Sequence, residues 1–358
     1  RRSIARMASA MLLLCSASQA FKLPTGPLLR TVASLRSTAA RMAADNEFDG
    51  YTPKTVFMFP GQGAQTVGMG AAAAEEVPAA AALYAKASEI LGYDLLAKCA
   101  GPKEELDSTV ISQPAIFVSS MAAVEKLRTS GEEGAAAIEA ADAACGLSLG
   151  EYTALAFAGA ISFEDGVRIT KARGEAMQAA SDAANSGMVS VIGLDSDKVA
   201  ELCAAASEEA GAPISIANFL CPGNYACSGA MSAVDVLCAK AKPDFKARMA
   251  VKLAVAGAFH TDFMAPAVPK LEEVLKSVDV SKPRIPVISN VDAKPHSDPD
   301  VIKGILTKQV TAPVQWETIV KGLLADGMEV GYELGPGKVL AGIMKRVDKK
   351  AKMINVEV

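Results

Sequence analysis

Histidine is scarce in this sequence, and its few cysteines are widely spaced. Only His260 and His296 are present, and the seven cysteines include no Cys-x-x-Cys pair. A zinc site built from cysteine and histidine is therefore not expected. An odd number of unpaired, scattered cysteines is typical of reduced thiols that are buried in a core.

Aromatic residues are also few, and long apolar runs are absent. Aromatic residues make up 5% of the chain and apolar residues 51%, so the core depends on alanine and aliphatic side chains. No uncharged apolar run reaches the roughly 18 residues that a membrane-spanning helix requires. We therefore expect no membrane partner.

Acidic residues are missing from the first 44 residues, which contain seven Lys or Arg. Within this stretch, Met7–Ala20 has a short apolar centre and ends in small residues, as secretory signal peptides do. The part that starts at Phe21 is basic and rich in hydroxyl side chains, as in organelle transit peptides. The sequence predicts a targeting leader at residues 1–44 and a location in the plastid stroma, with a simple mitochondrial or plastid presequence as the alternative.

The rest of the chain is acidic. Residues 45–358 contain all 40 acidic residues and 29 of the 36 basic ones. A net negative charge repels a phosphate backbone, so we expect no nucleic-acid partner. We expect the protein to be a monomer.

Strand-like and helix-like segments alternate along most of the chain. The stretch 55–65 reads as a buried strand that enters a Gly-rich turn, and 141–147 reads as a second strand. Further strands are expected at 285–291 and 329–337, with helices between them. This order predicts an α/β domain with a parallel sheet, formed by residues 52–186 and 256–355.

Residues 187–255 show a different order of elements. Their apolar pattern predicts strand, helix, two strands joined by a turn, helix and a last strand spanning residues 245–256. The order βαββαβ is the ferredoxin-like pattern. The sequence therefore predicts a small ferredoxin-like domain inserted into the larger one.

A candidate nucleophile lies between the second strand and the next helix. Gly146, Ser148 and Gly150 form a Gly-x-Ser-x-Gly pattern, in which the glycines permit a tight turn that exposes the serine hydroxyl. The following helix N-terminus supplies a backbone N–H and a positive field for an oxyanion. An ordinary turn serine is the alternative, because Gly-rich chains contain this pattern by chance, but the strand–turn–helix context favours a nucleophile.

A serine nucleophile needs a base. His260 ends an apolar run after a flexible Ala-Gly-Ala, where it can face a cleft, whereas His296 lies in a polar stretch that reads as a solvated loop. We therefore predict that His260 is the base, with a hydrogen-bonded core histidine as the alternative.

A candidate anion-binding residue follows on the next predicted helix. Arg173 shares a helix face with Ile169, Thr170 and Met177. A buried guanidinium is costly without a partner, so we expect a carboxylate from the protein or from a substrate.

Six motifs occur in the order and approximate spacing found in one enzyme family. They are FPGQGAQ (59–65), GLSLGEYTAL (146–155), RGEAMQ (173–178), AFH (258–260), APVQW (312–316) and ELGPGKVL (333–340). On these motifs the chain, over about residues 54–350, resembles the malonyl-CoA:acyl-carrier-protein transacylases. The resemblance implies an α/β-hydrolase-like large domain with an inserted ferredoxin-like domain.

The resemblance also implies an activity. The malonyl group of malonyl-CoA would pass through a malonyl-serine intermediate to the phosphopantetheine thiol of acyl carrier protein, in a ping-pong reaction that supplies type II fatty-acid synthesis. Malonyl-CoA and the carrier protein would be substrates, and no cofactor would be bound.

Site roles follow from the same motifs. Ser148 would be the nucleophile and His260 its base, while Arg173 would grip the malonyl carboxylate. The backbone N–H groups of Gln62 and Leu149 would form the oxyanion hole. Gln315 would offer its backbone carbonyl to the histidine, which gives a dyad without an acidic third member. Asn218 would line the small-domain side of the cleft.

The chain departs from bacterial members at one position. Those members have histidine immediately before the serine, whereas this chain has Leu147, as plastid-type members do. Phe259 resembles the form of the motif that selects malonyl over methyl-branched groups.

Three other functions remain possible from the sequence. A serine esterase or phospholipase would use the same turn, but it would not explain Arg173. A non-enzymatic carrier-binding protein would not need the serine, histidine and arginine together. An acyltransferase domain of a polyketide synthase is disfavoured by the leader.

Overall fold

The computed structural model of the chain describes residues 47–358, so the predicted leader at residues 1–44 lies outside the described residues. None of the helices within 47–358 has both the length and the hydropathy of a membrane span.

Strands and helices alternate through most of the described chain. The strands are β1 (Thr55–Phe59), β2 (Ala143–Gly146), β3 (Ser186–Ile192), β4 (Ile214–Cys221), β5 (Asn224–Ala230), β6 (Met249–Lys252), β7 (Val287–Ile288), β8 (Val330–Leu334) and β9 (Met353–Val356). The first helices are α1 (Ala71–Glu76), α2 (Pro78–Leu91), α3 (Leu95–Cys99), α4 (Lys103–Leu106), α5 (Thr109–Thr129), α6 (Glu132–Ala140) and α7 (Leu149–Phe157). The later ones are α8 (Phe163–Asp182), α9 (Ser196–Ala210), α10 (Met231–Ala241), α11 (Val268–Ser277), α12 (Pro299–Gln309), α13 (Trp316–Ala325) and α14 (Val339–Val347), and a 3-10 helix spans Asp262–Ala267.

Five strands form a parallel sheet in the order β7-β2-β1-β8-β9. In the central strand β1, Phe57 belongs to one hydrophobic cluster and Met58 to another, and both side chains are fully buried. Successive side chains of a strand point to opposite faces, so both faces of this sheet are covered. The two glycine-rich turns after β1 and β2 therefore lie at the same, carboxyl-terminal edge.

The other four strands form an antiparallel sheet in the order β4-β5-β3-β6. Helices α9 and α10 contribute to a separate apolar cluster with this sheet. The element order is βαββαβ, so the predicted fold class is confirmed for both parts of the chain. The last strand is shorter than the sequence predicts, because the Val255 N–H turns back to the Leu253 carbonyl and ends the ladder.

Two backbone hydrogen bonds join the small sheet to the larger part. The Phe219 N–H donates to the Val314 carbonyl (2.9 Å), and the Val314 N–H donates to the Ala217 carbonyl (2.8 Å). Strand β4 is thereby fixed to the segment that follows α12. This connection places the small sheet over a cleft at the carboxyl edge of the parallel strands.

Helices α5 and α8 pack closely at Gly174. A Cβ at this position would lie 2.7 Å from the Thr109 carbonyl oxygen, which is a backbone atom that cannot move alone. The glycine lets α8, which contains Arg173, approach α5. A larger residue would separate the two helices.

Replacing Gly174 by alanine should therefore destabilise the protein by about 1–3 kcal/mol, the usual cost of overpacking. Gly322→Ala in α13 is the matched control, because nothing lies within 4 Å of its added Cβ. The control should raise the free energy of unfolding by about 0.5–1 kcal/mol through helix propensity. Thermal melts followed by circular dichroism measure both, and equal shifts of Tm would contradict the packing argument.

Candidate active site

Ser148 lies in a strained turn between β2 and α7. Its backbone has φ 52° and ψ −101°, a conformation that residues other than glycine rarely adopt. A Cβ on Gly146 would lie 2.0 Å from the Gly150 backbone, and a Cβ on Gly150 would lie 2.0 Å from the Phe59 carbonyl. Only glycines fit on either side of the serine, and the close packing over-determines the strained conformation.

Asn290 holds this turn from the end of a neighbouring strand. Its Oδ1 accepts a hydrogen bond from the Ser148 N–H (2.6 Å), and its Nδ2 donates to the Gly146 carbonyl (2.8 Å). The side chain is fully buried. Sequence analysis missed this residue, although its place after a strand-like apolar run was a usable signal, since carboxyl ends of parallel strands meet at one edge.

His260 contacts the serine hydroxyl directly. Its Nε2 lies 2.8 Å from Ser148 Oγ, and its Nδ1 lies 2.9 Å from the Gln309 carbonyl oxygen. A carbonyl only accepts hydrogen bonds, so Nδ1 bears the proton and Nε2 is free to accept the proton of the hydroxyl. The φ of His260 is 60°, a second strained residue in the same site.

The predicted contact between His260 and Gln315 is wrong. Gln309 is the last residue of α12, where carbonyl groups have no partner within their helix and are free to bind a side chain. The Gln315 carbonyl instead accepts the Ile319 N–H (3.0 Å), the first hydrogen bond of α13. Its N–H donates to the Asn290 carbonyl (2.8 Å), so Gln315 supports the site from outside the cavity.

Burial keeps His260 neutral. Only 4% of the residue is exposed, and this burial, together with the positive charge of Arg173, lowers the pKa of His260 to about 4. The hydrogen bond from Nδ1 to the Gln309 carbonyl opposes this shift. The imidazole is therefore an unprotonated base at neutral pH.

Arg173 is buried, and its partners are neutral. Its Nη1 donates to Gln113 Oε1 (2.8 Å), and its Nη2 donates to Gln309 Oε1 (3.0 Å) and to Ser148 Oγ (3.0 Å). The guanidinium lies 5.1 Å from the ring centroid of Tyr152. Among residues 47–358, no carboxylate forms an ion pair with it.

Such an arrangement leaves a positive charge without a counter-ion from residues 47–358. Burial lowers the pKa of Arg173, yet a guanidinium is not deprotonated in proteins. Its Nε also lacks a hydrogen-bond partner among the described residues. The charge is therefore available to an anionic group in the cavity.

The remaining predicted residues line the same cavity, which has a volume of about 190 Å³. Gln62 follows β1 and Leu149 begins α7, and neither backbone N–H donates to a described residue. Asn218 lines the cavity from β4, and its buried Oδ1 has no partner within the described part of the chain. Phe259 also lines the cavity and leaves 6% of its surface exposed.

His296 does not line this cavity. The expectation of a solvated loop is wrong for its side chain, which is 5% exposed and places Nε2 3.1 Å from Asp292 Oδ2.

In residues 47–358, no cluster of His, Cys, Asp and Glu has a geometry that could hold a metal ion.

This arrangement is suited to acyl transfer. The serine hydroxyl has a neutral base within hydrogen-bonding distance and a cation beside it, and Gln62 and Leu149, whose backbone N–H groups have no described acceptor, line the same cavity. These groups suit a serine ester of an acyl group that itself has a negative charge.

Comparisons with known proteins agree with this geometry. The family model described as "Acyl transferase domain" matches residues 56–358. The malonyl CoA-acyl carrier protein transacylase of Bacillus subtilis is 39% identical over 304 residues, which cover 85% of this chain and 93% of that protein. The human mitochondrial transacylase of the same name is 40% identical over 335 residues, covering 90% of this chain and 84% of the relative.

Solved structures agree as well. The acyl carrier protein S-malonyltransferase of Vibrio cholerae is 37% identical, has a TM-score of 0.77, and the match covers 85% of this chain and 97% of that one. A malonyl-transacylase solved in complex with its type II PKS acyl carrier protein is 34% identical and has a TM-score of 0.79, with 85% of this chain and 96% of that chain covered. The chain therefore belongs to the acyl transferase family, among its malonyl-CoA:acyl carrier protein transacylases.

Proposed function

We propose that the protein transfers the malonyl group of malonyl-CoA to the phosphopantetheine thiol of acyl carrier protein and so supplies malonyl groups for fatty-acid synthesis. The observation that carries this proposal is the buried guanidinium of Arg173, which lies 3.0 Å from Ser148 Oγ and is not paired with any described carboxylate. The malonyl group has a carboxylate at the end opposite the thioester carbonyl, and Arg173 would bind this carboxylate when the group is attached to Ser148.

In the first half of the reaction, Ser148 Oγ attacks the thioester carbonyl while His260 Nε2 takes the hydroxyl proton. The backbone N–H groups of Gln62 and Leu149 stabilise the oxyanion. The C–S bond then breaks, His260 gives its proton to the departing sulfur, and CoA leaves as the free thiol, which returns His260 to its neutral form. Arg173 binds the malonyl carboxylate bidentately and releases the serine hydroxyl as it does so.

The second half reverses these steps with a different thiol. The phosphopantetheine thiol of the carrier protein gives its proton to His260 and attacks the malonyl-serine ester. The ester C–O bond breaks, and Ser148 Oγ recovers the proton from His260. Thus Ser148 and His260 act as a dyad, in which the Gln309 carbonyl fixes the imidazole orientation.

Transfer is favoured over hydrolysis by the walls of the cavity. Met177, Met188, Val255 and Phe259 contribute apolar side chains around the serine. These side chains disfavour an ordered water near the ester, whereas a thiol on a flexible arm enters without losing strong hydration. An esterase with the same turn would not need a buried cation beside its nucleophile.

Radiolabelled malonyl-CoA, with holo-carrier protein as acceptor, tests the function. Wild-type protein should form a labelled Ser148 ester and pass the label to the carrier protein faster than to water. Ser148→Ala should abolish both labelling and transfer while leaving the melting temperature nearly unchanged. Hydrolysis that outpaces transfer would instead support an esterase.

His260→Ala should lower kcat by at least about 10²-fold, because a general base contributes on this scale. Since burial lowers the pKa of His260 to about 4, the wild-type base is fully available above pH 5, and its protonation should reduce activity only towards pH 4. Initial rates between pH 4 and 8 measure this limb. His296→Ala is the control; if it reduces kcat more than His260→Ala does, at equal stability, the dyad is wrong.

Arg173→Ala should change substrate choice. It removes a charge-assisted pair from a desolvated site, so malonyl transfer should fall by about 10²–10³-fold, which corresponds to about 3–4 kcal/mol. Acetyl transfer never used this pair and should fall little. Kinetics with both acyl-CoA substrates, beside a thermal melt, separate this outcome from a structural role, in which stability and both activities would fall together.

We propose a plastid location for the mature protein, on the basis of the predicted leader at residues 1–44. Two relatives, from mouse and from human, are named as mitochondrial proteins, so the mitochondrion is the alternative location. A fluorescent protein fused behind residues 7–44 should enter the plastid, and substitution of Phe21, the first residue of the predicted transit peptide, should block entry if the leader has two parts. Mitochondrial fluorescence would reject the proposal.

We also propose that the protein is a monomer, since one chain supplies the nucleophile, the base and the cation that the proposed reaction uses. Light scattering during size-exclusion chromatography should give the mass of a single chain, and the mass of a dimer would contradict this.

A further inference from the structure

A buried carboxyl group lies behind the proposed site without touching the cavity. Glu151 is in the first turn of α7 and is 2% exposed. Its Oε2 accepts hydrogen bonds from Gln309 Nε2 (2.6 Å) and from the Asn290 N–H (3.0 Å). The mechanism above assigns no step to this residue.

The position of Glu151 in its helix makes these partners unusual. Ser148 precedes α7 and Glu151 is three residues further on, which is the spacing of a capping box. In a capping box the glutamate would bind the serine N–H, but here Asn290 Oδ1 accepts that N–H. The carboxyl group is thus directed away from its own helix, towards two residues of other elements.

Gln309 connects the carboxyl group to the reactive groups. Its Oε1 accepts from Arg173 Nη2 (3.0 Å), and its Nε2 donates to the Ser148 carbonyl (3.0 Å) as well as to Glu151. Its backbone carbonyl accepts from His260 Nδ1. One residue therefore contacts the proposed nucleophile, base and cation.

The contacts with Glu151 and with the Ser148 carbonyl decide which way the Gln309 amide points. A carboxylate and a carbonyl only accept hydrogen bonds, so the amide NH2 must face these two groups and the amide oxygen must face Arg173. In the flipped orientation the NH2 group would face the guanidinium, donor against donor, and one hydrogen bond of a buried cation would be lost. Burial raises the pKa of Glu151 to about 7, whereas the hydrogen bonds from Gln309 and Asn290 favour its charged form.

We infer that Glu151 is a positioning residue that orients the Gln309 amide, and through it the Arg173 guanidinium, and thereby sets the preference for acyl groups with a carboxylate. This inference rests on the proposed function. Glu151 does not touch the substrate, and it acts only through Gln309.

The test compares two isosteric substitutions. Glu151→Gln keeps the size of the side chain but can also donate, so the Gln309 amide loses the stronger of the two acceptor-only contacts that fix its orientation. Glu333→Gln is the matched control: Glu333 is fully buried and accepts the Leu340 and Ala341 N–H groups (2.8 Å each), but it contacts neither Gln309 nor Arg173. Both variants should lose some stability.

The expected readout is the ratio of malonyl to acetyl transfer, each as kcat/KM. Glu151→Gln should lower this ratio by about 10- to 100-fold, the scale of a lost hydrogen bond to a charged group, while acetyl transfer falls by less than about fivefold. Glu333→Gln should leave the ratio unchanged. A parallel loss of both activities in Glu151→Gln, or an unchanged ratio, would overturn the inference.

A second variant keeps the test decisive if Glu151→Gln folds poorly. Gln309→Met removes the side-chain amide but keeps the backbone carbonyl that binds His260, so it should lower the same ratio. If Glu151 acts through Gln309, the double variant should lower the ratio no further than Gln309→Met does. Additive losses would mean that Glu151 acts by another route, and an unchanged ratio in Gln309→Met would also reject the inference. Wild-type malonyl transfer, measured first, tests the proposed function separately.

Discussion

A buried guanidinium that no described carboxylate neutralises is the constraint on which this site depends. Arg173 is held by the amide oxygens of Gln113 and Gln309, which fix its direction without cancelling its charge. The same charge disfavours protonation of His260, so the cation helps to keep the base neutral. An anionic acyl group therefore meets a cation that lost its water when the protein folded. The free energy of this desolvation lowers the stability of the folded protein and does not weaken binding.

The strained turn at Ser148 depends on contacts from several distant parts of the chain. Glycines on both sides allow the helix, the strand and the β1 carbonyl to approach, while Asn290 binds the Ser148 N–H and the Gly146 carbonyl. The small sheet adds the opposite wall of the cavity through its hydrogen bonds with the segment after α12. Because α12 ends at Gln309, one short segment both fixes the small sheet and supplies the carbonyl that orients His260.

Sequence patterns predicted the residues whose role follows from local structure. Ser148 is marked by its glycines and by the change from strand to helix, and the βαββαβ order of the small part by its alternating apolar pattern. Gln315, by contrast, was assigned the contact that Gln309 makes, because both glutamines belong to one short segment and only the end of α12 decides which carbonyl is free. Asn290 and Glu151 were missed because their partners are more than 100 residues away in sequence. The apolar run before Asn290 indicates the edge of the sheet but not its partners, and no local pattern indicates the contacts of Glu151.

In the proposed function, selection of the acyl group depends on a charge that no described carboxylate neutralises more than on the size of the cavity. A neutral acyl group would fit a cavity that accepts malonyl, but it would bring no anion to the guanidinium. The difference between the two substrates is therefore the energy of one charge-assisted pair in a desolvated site, which depends on how well the guanidinium is aimed. The direction of the guanidinium is fixed by the side-chain amides of Gln113 and Gln309. A side-chain amide has two flipped orientations of nearly the same shape. A buried carboxylate that accepts from the Gln309 NH2 group, beside the Ser148 carbonyl, reduces this ambiguity. We propose this as the chemical reason for an acidic side chain close to a cation that no described carboxylate neutralises.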